Sequence, residues 1–497
     1  MRLARRRAAA FAAGIVAALV FASAGTAKAE TCEPHAAGAF TPEGGNAVAA
    51  LPAFCRVRLV LRPSADSEIR SEVWLPEAWN GRLQMVGNGG WAGVINYAAM
   101  GEALRQGYAA VATDTGHQGN RATFALGHPE KLTDFGWRAV HETVVAARTV
   151  IADHYGRPAA FAYWNSCSTG GRQGLMEAQR FPDDFDGVVA GAPAIDMFRL
   201  HAAWMWDFTV GQRAPGAAVP ATKFAVVQRA AIAACDETDG VADGLIGDPL
   251  TCRFDPGVLA CADADGSECL TPAQVETVRR IYRGMSPGDG GPPIYPGPEP
   301  GSEFGWAFHS GETEPARPAR DTFAYAVYGD ADWDPASFDV AAALERAKTA
   351  DGGRVAATQT DLTPFFSHGG KLLLYHGWED PNIPPRTTIA YRDAVAEGLG
   401  GEAEADRVMR LYLLPGMGHC GGGYGPNRFD AMAAIRAWVE EGRAPEALTA
   451  RQEADGRVVR TRPICPYPAV ARYRGTGDPN DARSFQCAAP PVRTPAS

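Results

Sequence analysis

Trp164-Asn165-Ser166-Cys167-Ser168-Thr169-Gly170-Gly171 closes an apolar run, and a stretch of helical character opens near Arg172. A serine at such a strand-to-helix turn has the context of a nucleophile elbow, where the strained backbone needs small residues two positions to either side. Ser168 is the candidate nucleophile, with Ser166 and Gly170 as its small neighbours; Ser166 stands where the usual pattern has glycine. Attack on a carbonyl from this position needs an acid and then a histidine further along the chain, in the order Ser, Asp, His. Asp380 lies in His376-Gly377-Trp378-Glu379-Asp380-Pro381 and His419 in Pro415-Gly416-Met417-Gly418-His419-Cys420. Each follows a buried-strand run. His376 and Glu379 are rivals, but His376 comes too early in that order and Glu379 serves as the fallback acid. The N–H of Thr169 is the first expected oxyanion donor. The second is expected from Gly87-Asn88-Gly89-Gly90-Trp91-Ala92-Gly93, where Gly90 is favoured and Gly89 is next. That loop lacks the spacing of a nucleotide-phosphate cradle.

These residues need a scaffold that brings three loops together. Two runs rich in Val, Leu and Ile between Val57 and Leu75 flank Pro63-Ser64-Ala65-Asp66 and predict a hairpin. Short apolar runs at Leu83–Val86, Ala109–Ala112, Phe161–Trp164 and Val188–Ala190, with helical character from Trp137 to His154, predict a doubly wound parallel sheet. The rhythm breaks between about Asp196 and Phe366, which holds four of the cysteines and a Pro/Gly-rich stretch from Pro287 to Gly301. It resumes at Leu372–Tyr375 and Arg410–Leu414, followed by an amphipathic helix from about Arg428 to Glu441. The expected organisation is therefore a catalytic domain of residues 30–195 and 367–497 split by an inserted domain of residues 196–366.

Composition agrees with an enzyme-sized globular chain: 497 residues, 46% hydrophobic and 21% charged. A net charge of −10 argues against a broad phosphate-backbone footprint. Arg2, Arg5, Arg6 and Arg7 precede an apolar run from Ala8 to Ala22, and Ala27-Lys28-Ala29 offers a small-x-small cleavage pattern. Residues 1–29 thus read as a signal peptide, too short in its apolar part to span a bilayer, and the mature chain is expected to be secreted or periplasmic. Ten cysteines in an exported chain read as disulfides. Counting does not fix connectivity, but short loops are cheapest to close, which suggests Cys32–Cys55, Cys235–Cys252, Cys261–Cys269 and Cys465–Cys487. Cys167 and Cys420 remain, and they are the chain neighbours of Ser168 and His419.

Taken together, Cys167-Ser168-Thr169-Gly170-Gly171-Arg172-Gln173, Gly191-Ala192-Pro193-Ala194, His376-Gly377-Trp378 before Asp380, and His419-Cys420 resemble the tannase and feruloyl esterase family. That family also holds the hydrolase of mono(2-hydroxyethyl) terephthalate, and the resemblance runs from about Cys32 to Cys487. It implies an α/β-hydrolase core, a lid domain in the insertion, the five bridges above, and serine hydrolysis of aromatic-acid esters. Feruloyl-type esters are favoured over gallate esters and terephthalate half-esters. The resemblance further implies a structural calcium ion in the lid, bound by the carboxylates of Asp236, Asp239 and Asp243 and the carbonyls of Val241 and Leu245. Phe304, Trp306, Phe323, Tyr325, Tyr328 and Trp333 are the insertion's candidates for gripping a flat ring. A serine peptidase on the same fold would share the triad; a binding or adhesion protein on such a scaffold would more often show a broken one. The only partner expected is a small aromatic ester, with neither nucleic acid nor membrane.

Overall fold

The computed structural model describes residues 26–43, 45–288 and 291–490. Most of the expected leader, residues 1–25, lies outside the described residues; its end, Thr26–Ala29, is an edge strand against Leu59–Arg62. Among the described residues the central sheet has ten strands. Its body comprises β1 (Phe54–Arg62), β2 (Ile69–Pro76), β3 (Arg82–Met85), β4 (Ala109–Thr113), β5 (Phe161–Cys167), β6 (Gly187–Gly191), β7 (Lys371–Gly377) and β8 (Met409–Leu414). They lie in the order β1-β2-β4-β3-β5-β6-β7-β8. β1 and β2 form the expected hairpin, Leu61 facing Ile69, and β2 runs antiparallel to β4. Every later neighbour is parallel.

Alternation along these strands explains why helices cover both faces. Trp164, Val188, Leu372 and Leu374 point to one side, where α2 (Ala139–Tyr155), α3 (Thr169–Arg180) and α8 (Pro385–Gly398) bring Val144, Ile151, Leu175 and Val395. Tyr163, Val189 and Leu373 point to the other, where α1 (Tyr97–Arg105) and α9 (Ala431–Glu441) bring Met100, Leu104, Ile435 and Trp438. Strands buried on both faces read as continuous apolar runs, and that gave them away in the sequence. α9 starts three residues later than expected, at Ala431, because Asp430 caps it by accepting the Ala433 N–H at 2.8 Å.

β6 and β7 are sheet neighbours although the insertion separates them in the chain. Its first helix, α4 (Met197–Gly211), is capped by Asp196, so the expected boundary coincides with a helix start. α4 packs with α7 (Val340–Asp351) around Phe198, Leu200, Met205, Phe323 and Ala343. Trp91 and Phe135 from the sheet domain complete this third core. A smaller one joins α5 (Ala221–Cys235) and α6 (Pro272–Arg283) through Phe224, Val227, Val278 and Trp306. The insertion therefore shares apolar contacts with the loop that follows β3. No helix among the described residues is long and apolar enough to cross a membrane.

Candidate active site

Ser168 sits between the end of β5 and the start of α3 with φ 64° and ψ −126°. A non-glycine residue with positive φ is strained, and it persists here because its surroundings leave no alternative. The Ser168 N–H donates to Gly191 O at 2.9 Å, and Ser168 O accepts from Arg172 and Ala194 N–H groups at 3.0 and 3.1 Å. Glycine is obligatory two residues on: a Cβ at Gly170 would lie 2.0 Å from Ser166 Oγ. A Cβ at Gly171 would lie 2.4 Å from Gly191 O, which brings the conspicuous Gly191-Ala192-Pro193-Ala194 string against the elbow.

The acid and the histidine arrive from β7 and β8. Asp380 is fully buried. Its Oδ1 accepts the N–H groups of Asn382 and Ile383 at 2.8 and 3.0 Å. Its Oδ2 accepts from His419 Nδ1 at 2.7 Å and from His376 Nε2 at 3.1 Å. Burial would raise the Asp380 pKa, but the charge of His419 and hydrogen bonds from His376 and His419 reverse this and hold it below the usual carboxylate range. Burial likewise depresses His419, while the charge and hydrogen bond of Asp380 outweigh it, so its pKa is raised above 6.5.

His419 Nε2 lies 3.6 Å from Cys420 Sγ. Cys420 is bonded to Cys167 with Cα atoms 5.8 Å apart, so the outer face of the imidazole abuts the bridge adjoining Ser168. The Ser168 hydroxyl makes no hydrogen bond among the described residues. Catalytic contacts of free enzymes are commonly long and tighten on substrate binding. The other pairs are Cys32–Cys55, Cys235–Cys252, Cys261–Cys269 and Cys465–Cys487, the connectivity expected from short loops.

Glu379, the fallback acid, points elsewhere. It is fully buried, and its Oε2 accepts the Gly416 N–H at 2.5 Å. Burial keeps it far above the usual carboxylate range, a neutral acid bracing the base of the histidine's loop. His376 touches Asp380 after all: with Nδ1 on Thr388 Oγ1 at 2.8 Å, it is a second ligand of the same carboxylate oxygen. Chain order gave no sign of this role, because His376 reaches Asp380 within one turn of backbone.

The loop after β3 is fastened to the elbow. Gln173 Oε1 accepts the Asn88 N–H at 3.1 Å, and Thr169 Oγ1 donates to Gly90 O at 2.9 Å. Gly87 packs so closely on α3 that a Cβ would lie 2.9 Å from Gly170 Cα. Thr169 is the first residue of α3, so its N–H belongs to the unpaired amides of a helix start. Gly90 adopts φ 52°, and the Trp91 carbonyl is engaged by His117 Nε2 at 2.9 Å.

Of the six aromatic candidates, Trp306 and Phe323 are fully buried and Trp333 nearly so, all packed in the insertion's cores. Tyr325 and Tyr328 pack against the edge of the larger core. Phe304 is 43% exposed, and its ring reaches within 3.2 Å of where a Cβ on Gly418 would sit, beside His419. Phe308 is similarly exposed and contacts Trp204 edge-on at 5.2 Å; the sequence reading passed it over.

The acidic loop behind Cys235 is folded on itself. Asp236 accepts the N–H groups of Asp243, Gly244 and Leu245 at 2.9–3.2 Å, and Asp243 pairs with buried Arg462. Burial and the like charges of Asp243 and Asp236 push Asp239 up to about 6. All the donors are oxygen, a chemistry that fits a hard cation, while Arg462 pairs with Asp243 and Arg460 donates to the Asp243 carbonyl at 3.0 Å. All three carboxylates already have partners: amides on Asp236, the Val241 N–H on Asp239 at 3.2 Å, and the Leu245 N–H and Arg462 on Asp243.

The chain is similar to known proteins along most of its length. The family model described as tannase and feruloyl esterase matches residues 55–488. An uncharacterised esterase of Xanthomonas campestris is 38% identical over 91% of this chain and 87% of its own length. A probable feruloyl esterase B-2 of Aspergillus flavus is 35% identical over 81% of this chain and 80% of its own. The crystal structure of feruloyl esterase B from Aspergillus oryzae superposes with a TM-score of 0.88 at 33% identity, covering 93% of this chain and 97% of that one. With an α/β-hydrolase sheet and these relatives, the chain belongs to the tannase and feruloyl esterase family and is a carboxylic ester hydrolase.

Proposed function

We propose that the chain is an exported serine esterase acting on esters of aromatic acids, feruloyl-type first, through an acyl-enzyme. The observation that carries this reading is the position of His419, with Nδ1 on ionised Asp380 and its other edge against the bridge adjoining Ser168. His419 Nε2 takes the proton of Ser168 as Oγ attacks the ester carbonyl. Asp380 fixes the tautomer and stabilises the imidazolium. The N–H groups of Thr169 and Gly90 receive the developing oxyanion. His419 then protonates the departing alcohol, and water activated by the same imidazole hydrolyses the acyl-Ser168 ester, releasing the acid.

Feruloyl esters are placed first because the relatives named above with a stated activity are feruloyl esterases. Gallate esters form the second reading, since the family model spans both activities. Exposed Phe304 and Phe308 beside the His419 loop and Trp204 offer ring faces for a flat acyl group. Export is supported by five disulfides.

A calcium ion would be held by Asp236, Asp239 and Asp243 with the carbonyls of Val241 and Leu245. When bound it would neutralise the carboxylates and brace the insertion. Chelation should then lower the melting temperature, with calcium restoring it; an unchanged melting curve would dismiss the ion.

The decisive experiment compares methyl ferulate, methyl gallate and mono(2-hydroxyethyl) terephthalate as substrates, with Ser168→Ala alongside. Turnover of methyl ferulate that vanishes in a folded Ser168→Ala supports the reading. Preference for gallate moves it to the second, and cleavage of peptide amides in place of esters overturns it.

A further inference from the structure

The loop proposed to carry the second oxyanion donor packs on the insertion through the Trp91 ring and is hydrogen-bonded to it through one hydroxyl. Trp91, next to Gly90, is buried and donates its indole Nε1–H to Thr322 Oγ1 at 2.9 Å. Thr322 opens a π-helical turn, Thr322–Val327, and is itself fully buried. Its hydroxyl donates to Pro318 O at 2.9 Å and lies 2.6 Å from His201 Nδ1 on α4. A hydroxyl has one proton and two lone pairs. With its proton on Pro318, both lone pairs are filled, by Trp91 and by His201 bearing its proton on Nδ1. Burial holds the His201 pKa down at about 3, so the ring is neutral and has one N–H to give.

The chain of contacts does not stop there. The His201 ring lies 4.8 Å from that of Trp204, whose Nε1–H donates to Asn382 O at 2.8 Å. Asn382 is in the loop that cradles Asp380. The Trp91 indole of the oxyanion loop thus connects, through Thr322 and the insertion's His201 and Trp204, to the acid's loop on the other side of Ser168. π-Turns are rare and concentrate at functional sites, and this one delivers the hydroxyl that joins Trp91 to His201 by hydrogen bonds.

We propose that Thr322 is a positioning residue for the oxyanion site: its hydroxyl seats the insertion on Trp91 and so fixes the peptide bearing the Gly90 N–H. This rests on the esterase reading above. Removal of the hydroxyl strands two buried N–H groups, which must then move or stay unpaired. A small displacement of an oxyanion donor weakens transition-state binding without weakening ground-state binding.

The test compares Thr322→Val, Thr322→Ser and Trp91→Phe with wild type on methyl ferulate, or on whichever ester wild type turns over. Affinity is measured in parallel for an arylboronic acid, which mimics the tetrahedral adduct, and for the free product acid. Thr322→Val should lower kcat by about 10- to 100-fold with KM nearly constant. It should weaken the boronate by a similar factor and leave the product acid unaffected. Thr322→Ser should restore both. Trp91→Phe should lower kcat too, and adding Thr322→Val should cost less than the two losses multiplied. Wild-type kcat and boronate affinity in Thr322→Val would overturn the proposal alone. Equal loss of boronate and product-acid binding would overturn it as well, because it would mark a general loss of structure. A wild type inert to esters and to boronate would overturn the esterase reading and this inference together.

Discussion

Asp380 Oδ2 is shared by two histidines, His419 at 2.7 Å and His376 at 3.1 Å. Only one of them can turn toward the elbow. His376 Nε2 also lies 2.9 Å from Ile383 O, and Thr388 holds its other nitrogen, so its ring is locked in the interior. His419 is partly exposed, with its Nε2 edge beside the bridge adjoining Ser168. With Oδ1 held by the Asn382 and Ile383 N–H groups and Oδ2 by both histidines, the direction of the carboxylate is fixed.

The two neighbouring acids should respond in opposite ways to amidation. Asp380→Asn should reduce kcat by about 10³- to 10⁴-fold, because the imidazole loses the acceptor that sets its tautomer. Glu379→Gln copies the protonated form that burial already favours and retains a carbonyl for Gly416 N–H. Its kcat should stay within a few-fold of wild type, and its melting temperature at pH 8 should not fall. Steady-state kinetics and thermal melts of both variants check this; a dead Glu379→Gln with active Asp380→Asn would exchange their roles.

The pH profile follows from the same pair. The base must be neutral, and Asp380 raises the pKa of His419 above 6.5. Activity should therefore rise with pH through a midpoint above 6.5, measured as kcat/KM on the free enzyme. In the residual activity of Asp380→Asn the raising influence is gone and burial remains, so the midpoint should move down. Asp380 itself, with its pKa depressed, stays charged across that range.

The bridge beside the nucleophile spans 253 residues of chain. Replacing Cys167 and Cys420 together by Ala should cost about 2–5 kcal/mol of stability. kcat should fall by about ten-fold or more as the elbow and the histidine's loop drift apart. Denaturant melts and kinetics of the double variant measure the two effects. Unchanged kcat would mean the loops hold each other without the bond.

Gly170→Ala should be among the most damaging single-methyl additions, since its Cβ would lie 2.0 Å from Ser166 Oγ. The expected loss is about 1–3 kcal/mol, as for overpacked cores. Ser166→Gly on the same chain removes the colliding atom and should recover most of it. Thermal melts of the two variants and of their combination give the coupling.

How much of this could be read from the sequence differs by length scale. The placement of Ser168, Asp380 and His419 just past strand ends was legible, because parallel strands deliver their ends to one edge of a sheet. The bridges were legible because loop closure favours near neighbours, with Cys167 and Cys420 left over. Side-chain direction was not. His376 read as a misplaced rival because spacing says nothing of which carboxylate a ring faces. Trp306 and Phe323 carry aromatic surface suited to a ligand, yet the insertion needed that same surface for its own cores. Thr322 left no mark, being one threonine in a stretch whose period switches to a π-turn.

Because Cys167 and Cys420 are joined, everything from Ser168 to His419, the whole insertion included, lies within one closed covalent ring. A ring must be cut twice to fall apart. A protease that nicks an exposed loop of the insertion once leaves Ser168 and His419 on separate polypeptides that remain bonded at the site itself. Cleavage within the insertion is thereby uncoupled from separation of Ser168 from His419.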